Sequence, residues 1–417
     1  MKKFTVILLA LAMLLSLSAC GAEKTETGTA APAEQGFTPA LDTDTAATLN
    51  FVGNWGNFEA LDQVALDFQK VYPNVEVIYT YLGDYRNDLA NRFATGEEVD
   101  LFMAAWWDTE YTLNQNIIDN AEDLNASGID FSNLNAELLA SGQANGAQTV
   151  VPVYLTCWGA VANLDLLESA GVAVPSTWQE LLDACAALAG AGYEQPIYVN
   201  SSQYGRTFTG YYMLRRIAGS DELTALDETV ARADELAAAG YVSAEGDTLE
   251  DNYNAMILRF FEGDIPFMPI STSNYSGTAK REAKSEAFTA TPFRYTFIPM
   301  SYDESGRALI DQLGTVYVGV YKNSANLELA NEFLRFLLTD EEMLVLETVK
   351  NMPTANSSNG MDLFPYLKSA QLFYNSEDGI SSLDEERAIN VLGQYSIGGD
   401  HSAMTEKMNE YLEKGIN

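Results

Sequence analysis

The sequence predicts an α/β fold built in two domains. The early rhythm of strand, helix, strand, helix, strand points to a layered domain with a mostly parallel sheet. About 370 residues also remain once an N-terminal signal and tether are set aside, more than one core ordinarily organises. A hydrophobic content of 47% with 11% aromatic residues suits a folded globule.

The elements follow from local pattern. Residues 48–52 read as a first strand, closed by Gly53-Asn54-Trp55-Gly56-Asn57. Leu61, Val64, Ala65, Phe68 and Val71 then recur at helical spacing until Pro73 stops them. Residues 75–81 alternate as a second strand, 85–93 form a helix, and 100–104 a third strand. Residues 150–162 make a long apolar strand, followed by a helix over 163–170 with Gly171 as its cap. Thr177 with Glu180 three residues on is a capping box for the next helix. Helices are expected over 211–218, 221–240 and 252–262, and strands over 265–270, 293–299 and 315–321. An amphipathic helix over 327–338 and another over 341–349 follow; residues 364–412 read as helical with breaks at Gly379 and Gly398-Gly399.

The N-terminus carries an address. Lys2-Lys3, an apolar run from Phe4 to Leu17 and a small-residue site make a secretory signal over 1–19, too short to favour a spanning helix. Leu17-Ser18-Ala19-Cys20 resembles a bacterial lipobox, with the Cys20 thiol as the acylated nucleophile. Residues 20–47 are rich in Ala, Thr, Glu, Gly and Pro and read as a flexible tether behind that lipid. Two or more acyl chains anchor a protein firmly, so the expected location is the outer face of the cell membrane. No later segment is long and apolar enough to span a bilayer.

Several chemistries are excluded or weakened. With 59 Asp+Glu against 23 Lys+Arg and a net charge of −36, the chain repels nucleic acid and anionic lipid. Its one histidine, His401, stands in a Gly-flanked turn beside Asp400, where an ordinary exposed side chain is expected, so a His-based catalytic site has little to work with. Beyond Cys20 only Cys157 and Cys185 remain; they read as two buried small hydrophobes, with a disulfide as the alternative. Zinc ligand sets, phosphate loops and calcium loops do not appear, and no cofactor is expected. Paired carboxylates are too abundant to interpret, so a secreted glycan hydrolase stays open as the alternative reading, and an adhesion lipoprotein as a third.

The positive signal is aromatic placement. Trp55 follows the first strand, Trp106 and Trp107 the third; Tyr154 and Trp158 lie in the long strand, and Tyr204 and Tyr275 in stretches rich in Ser and Asn. Ligands of open α/β sheets sit beyond the carboxyl ends of strands. Flat rings beside hydroxyl and amide groups suit a sugar, whose C–H faces stack while its hydroxyls need polar partners. Asn54, Asn57, Asp108, Asn274 and Arg294 are the polar candidates.

Blocks spread over nearly the whole mature chain resemble the family 1 extracellular solute-binding proteins of ABC importers, relatives of maltose-binding protein. They are Phe51-Val52-Gly53-Asn54-Trp55 with Tyr72-Pro73-Asn74-Val75, Val151-Pro152-Val153-Tyr154 through Asn163-Leu164-Asp165, Phe261-Glu262-Gly263-Asp264, and Gly314 with Ala330-Asn331-Glu332-Phe333. Ala162-Asn163 stands where the family often shows Tyr-Asn, and Thr315 follows Gly314 where an aromatic is common. The resemblance implies a type II periplasmic-binding-protein-like fold, two hinge-linked lobes with a ligand cleft between them. Lobe 1 would hold 48–152 with 300–350, and lobe 2 would hold 153–299 with 351–417. The chain would cross near 151–158, return near 298–300 and cross again around Lys350. Trp55, Trp106, Trp107 and Asp108 would line one lobe, Tyr154 and Trp158 the hinge, and Tyr204, Asn274 and Tyr275 the other lobe. The implied protein is a non-enzymatic monomer that captures a carbohydrate, an oligosaccharide by its ring count, and hands it to the transmembrane subunits of an ABC permease.

Overall fold

The structure is a computed structural model that describes residues 37–56, 58–96, 98–105, 114–249, 253–303, 305–373 and 382–414. Strands β1 (Ala47–Gly53), β2 (Val75–Tyr81) and β3 (Leu101–Ala105) pair in parallel in the order β2-β1-β3. Two helices connect them, α1 (Glu59–Val71) and α2 (Tyr85–Thr95). Helix α1 buries Ala60, Leu61, Val64 and Phe68, the stripe its spacing predicts. Gly96, at φ 71°, ends α2 in the left-handed conformation that glycine adopts without strain.

After a small hairpin, β4 (Gln143–Ala144) with β5 (Ala147–Gln148), comes β6 (Val151–Asn163), buried at all thirteen positions. The continuous burial explains its unbroken apolar sequence. Helix α3 (Leu164–Ser169) follows, then α4 (Trp178–Gly190). Thr177 accepts the Glu180 amide at 3.1 Å, but Glu180 reaches back to the Ser176 amide, so the capping box closes one residue early.

Strand β7 (Ile197–Tyr198) leads through α5 (Ser201–Arg206), α6 (Thr209–Ile217) and α7 (Glu222–Ala238) to β8 (Val242–Ser243), then α8 (Tyr253–Phe260). Strand β9 (Phe267–Ser271) runs into two short helices, α9 (Thr272–Tyr275) and α10 (Thr278–Glu282). Strands β10 (Tyr295–Ile298), β11 (Ser301–Tyr302) and β12 (Ala308–Val320) complete the crossing. Then come α11 (Leu327–Leu337), α12 (Asp340–Lys350), β13 (Gln371–Phe373), α13 (Ser382–Leu392) and α14 (Ser402–Lys414).

One continuous path of strands, β2-β1-β3-β12-β6-β9-β7-β8, ties the two halves together, with β10 on β6 and β11 and β13 on β12. Along that path the pairing is parallel only toward the two ends, and β13 also lies parallel to β12. β12 runs antiparallel to β3 and β6, and β6 antiparallel to β9 and β10. The expected mostly parallel sheet is thus corrected to a mixed one, because two long strands cross between the halves in opposite senses. The return expected near 298–300 is carried instead by β12. Strand β10 ends at Ile298, still paired with the far end of β6. Gly314 sits at the bulge of β12, where a Cβ would lie 1.8 Å from the Tyr317 hydroxyl.

Each half has its own core. On the β1–β3 side Phe68 meets Phe333 and Phe336 at ring-centroid distances of 5.1 and 5.3 Å. On the β9 side Leu181, Leu188, Ile197, Tyr204, Phe208 and Leu236 are buried together. Burial of such side chains is worth about 1.5–3 kcal/mol each.

Three local expectations change. The tether was expected to reach residue 47, but the folded unit begins at Pro39, and the Ala40 amide donates to Glu332 Oε1 at 2.8 Å. His401 is half-buried rather than exposed: its Nε2 lies 3.0 Å from Asp234 and its ring stacks on Tyr395. Within 364–412, β13 interrupts the helices. Cys157 and Cys185 are buried and unlinked, and no helix of the described residues is long and apolar enough to cross a membrane.

Candidate functional site

The two halves meet where β6, β12 and the chain after α12 pass side by side. Tyr154 and Thr354 form a bridge, Leu155 donates to the Pro353 carbonyl, and Ala355 donates to that of Val153. Around this crossing the structure gathers Trp55, Tyr154, Trp158, Asn274 and Tyr275. Asn57, Trp106, Trp107 and Asp108, together with Cys20, lie outside the described residues.

Trp55, at the carboxyl end of β1, is held by its backbone. The Tyr79 hydroxyl accepts its amide at 3.1 Å and donates to its carbonyl at 3.0 Å. Its ring meets Tyr154 edge-on at 5.5 Å and Phe58 at 5.3 Å. The Lys350 ammonium sits 4.2 Å from the ring centroid, a cation on the negative face of the indole. Tyr154 is fully buried and spends its hydroxyl on the Leu346 carbonyl at 2.9 Å, so it backs Trp55 rather than presenting a face.

Glu59, on α1, links the halves. Its carboxylate lies 2.8 Å from Lys280 of α10 and 3.6 Å from Lys350 of α12. Burial pushes the Glu59 acid upward, but the Lys280 hydrogen bond and the Lys350 charge outweigh it and hold the pKa below the usual range. Burial likewise lowers the Lys350 pKa, against the pull of Glu59. Beside this pair Asn351, at φ 50°, donates to Thr278 Oγ1 at 2.9 Å and to the Tyr275 hydroxyl at 3.3 Å. The Gly277 amide donates to the Lys350 carbonyl at 2.6 Å.

On the other side of the crossing, Trp158 pairs in register with Ser271, whose hydroxyl caps α9 at the Asn274 amide. Asn274 donates to Gln203 Oε1 at 3.3 Å. The Arg206 guanidinium lies 5.3 Å over the Trp158 ring.

Two expected site residues are elsewhere. Tyr204 is fully buried in the core of the β9 side, its ring against Phe208 and Tyr395 and its hydroxyl donating to the Ala233 carbonyl at 2.7 Å. It is a core residue because it opens a helical stripe continued by Phe208 and Tyr212. Arg294 lies just before β10 at the far end of β6, on the surface, where it pairs with Asp165 at 2.6 Å and with Glu168. Its charge is already neutralised there.

Sequence reasoning missed Tyr81, Lys350, Asn351 and Arg206. Tyr81 is the last residue of β2 and 55% exposed, its ring 3.7 Å from where a Cβ on Gly56 would stand. Its position at a strand's carboxyl end was a readable signal. The other three gain meaning only through partners distant in sequence. The described hollow of about 840 Å³ beside α14 is open and lined by Asp400, Glu406, Glu410 and Glu413, away from the crossing strands.

Comparison with known proteins agrees with this geometry. The family model described as "Bacterial extracellular solute-binding protein" matches residues 53–344. No curated protein sequence matches the chain. Among solved structures the chain is similar to RafE in complex with raffinose (TM-score 0.64, 17% identity, 88% of this chain and 99% of that one). The apo form of RafE from Streptococcus pneumoniae aligns likewise (0.63, 16%, 90% and 99%). So does the GacH receptor of Streptomyces glaucescens, solved unliganded and with acarbose (0.61, 18%, 88% and 98%). The Bacillus licheniformis sugar transporter protein in complex with stachyose aligns at 0.57, with 16% identity over 87% and 98% of the two chains. At these identities the structures speak to the fold, a two-lobed solute-binding architecture. With the crossing strands, the aromatic junction and a family match over most of its length, the chain belongs to the bacterial extracellular solute-binding protein family.

Proposed function

We propose that this protein is the lipid-anchored receptor of an ABC importer, capturing a carbohydrate between its lobes and delivering it to the permease. The observation that carries the reading is the aromatic junction where the halves meet, with Trp55 backed by Tyr154 and Phe58 and flanked by the exposed ring of Tyr81. Stacking faces at strand ends, with Asn274 and Ser273 alongside, match the apolar faces and hydroxyl edges of a sugar. That raffinose, acarbose and stachyose occupy three proteins of this fold supports the same ligand class. In the proposed division, residues 48–152 with 300–350 and residues 153–299 with 351–417 close on the ligand. Asn57, Trp106, Trp107 and Asp108 complete the β1–β3 side. The Cys20 anchor and tether keep the closed form near its permease.

A thermal-shift and calorimetric screen against a glycan panel tests this. A bound sugar at a hundredfold excess over its Kd raises Tm by about 3 °C for a chain of this size. No shift and no heat with any saccharide overturns the carbohydrate reading; release of cleaved glycan would favour the hydrolase instead. Trp107→Ala is expected to weaken sugar binding by about 1–3 kcal/mol, read by titration calorimetry. Cys20→Ser is expected to free the protein from the membrane fraction, read by fractionation.

A further inference from the structure

We propose that the ligand carries a carboxylate, as a uronic acid sugar does, and that Arg206, Gln203 and the Trp158 indole nitrogen read it. This rests on the carbohydrate reading and names the class of sugar.

Three hydrogen-bond donors converge beside β6 and α9. Gln203 and Arg206 lie three residues apart on α5, hence on one helical face. The Arg206 guanidinium lies over Trp158. Gln203 is tied to Asn274, and Asn274 is capped by Ser271, the register partner of Trp158. Gln203 is fully buried and Trp158 only 3% exposed, yet among the described residues neither Gln203 Nε2 nor Trp158 Nε1 has a hydrogen-bond partner. A buried donor without an acceptor costs about 1–3 kcal/mol, so two together mark a place built for an acceptor. Arg206, Ser273 and Asn274 are partly exposed and form its mouth.

The missing acceptor is anionic by the same bookkeeping. Acids outnumber bases 59 to 23 in this chain, and its arginines readily find them: Arg215 with Glu228, Arg216 with Glu222, Arg259 with Asp264. Arg206 has only the Ile389 carbonyl at 3.4 Å and the Trp158 ring, and no carboxylate among the described residues pairs with it. Asp247, at the start of the same helix, is already spent on the Ser201 amide and hydroxyl at 2.6 Å. A sugar hydroxyl can accept one of these donors, but a carboxylate has two oxygens and about four lone-pair directions, and no proton to place against a cation.

The test is titration calorimetry of the full mature chain against di- to tetrasaccharides of hexuronic acids, each beside its neutral hexose counterpart. The expected result is at least about tenfold tighter binding of the acid form, the scale of one charge-assisted hydrogen bond. In Arg206→Gln that ratio falls towards one, and in Arg206→Lys it is partly kept; unchanged Tm in each shows the variant is folded. Should Arg206→Gln not fold, Trp158→Phe, which removes the indole N–H while keeping an aromatic ring under Arg206, is expected to lower the ratio. Equal binding of acid and neutral forms, neutral binding alone, or a ratio that survives loss of the guanidinium overturns the proposal and leaves the carbohydrate reading standing. Binding of neither series overturns both.

Discussion

Trp55 and Trp158 stand on opposite sides of one crossing, and each has a cation over its ring, but the two cations differ in what balances them. Lys350 over Trp55 shares the Glu59 carboxylate with Lys280. Arg206 over Trp158 has no carboxylate among the described residues. The first cation has a carboxylate that bridges the halves, so that side holds them together. The second has no such bridge, so it is the side where a ligand's chemistry is read. Changes on the Trp55 side should register first in stability, and changes on the other in ligand choice.

The largest effect on the Trp55 side is expected from Trp55→Ala. It removes a half-buried indole packed on Phe58 and Tyr154, at the lower end of the 3–5 kcal/mol seen for large aromatic truncations, about 3 kcal/mol. Denaturant unfolding measures it, and a loss below about 1 kcal/mol would mean the ring is not part of the junction. Glu59→Gln comes next. It removes the carboxylate that Lys350 and Lys280 share, and since Glu59 is itself a quarter exposed the expected cost is about 2 kcal/mol, under the range for fully buried pairs. If Glu59→Gln is as stable as the wild type, the junction is not held by charge.

A third effect sharpens the comparison by lying outside the junction. Glu342 and Glu347 on α12 are buried, and burial raises both acids to about 7. The folded state therefore holds protons that the unfolded state has released above its pKa near 4.3. The stability they support is full below that value and is lost as pH rises through about 7. Tm should fall between pH 5 and 8, and Glu342→Gln with Glu347→Gln should flatten the decline by up to about 5 kcal/mol, since each acid contributes about 1.4 kcal/mol per pH unit until it titrates. A slope unchanged in the double variant would place the titration elsewhere. The smallest effect is expected for Lys280→Ala. Its side chain is half exposed, so its bridge to Glu59 is worth about 0.5 kcal/mol at most, measurable as a small salt-dependent loss.

Much of the fold was legible because it is local. The α1 stripe, the thirteen buried residues of β6 and the Gly171 cap at φ 70° all follow from period, composition and glycine geometry within a few residues. The site was legible in part. The position of Trp55 at a strand's carboxyl end can be read from the sequence, whereas the core burial of Tyr204 shows only once its ring is seen against Phe208 and Tyr395. Arg294 appeared free in sequence because its acid, Asp165, is 129 residues away. The tether was drawn too long because the Glu332 carboxylate that fixes Ala40 lies far along the chain.

By itself the sequence determined the secondary elements, the family and the acidity of the surface, since each depends on neighbours in the chain or on a sum over it. Only the tertiary structure decided which charges are balanced. Lys280 and Lys350 share the one carboxylate of Glu59, and Arg206 has none among the described residues, because electrostatic interaction depends on separation in space and on burial, and neither can be read from order along the chain.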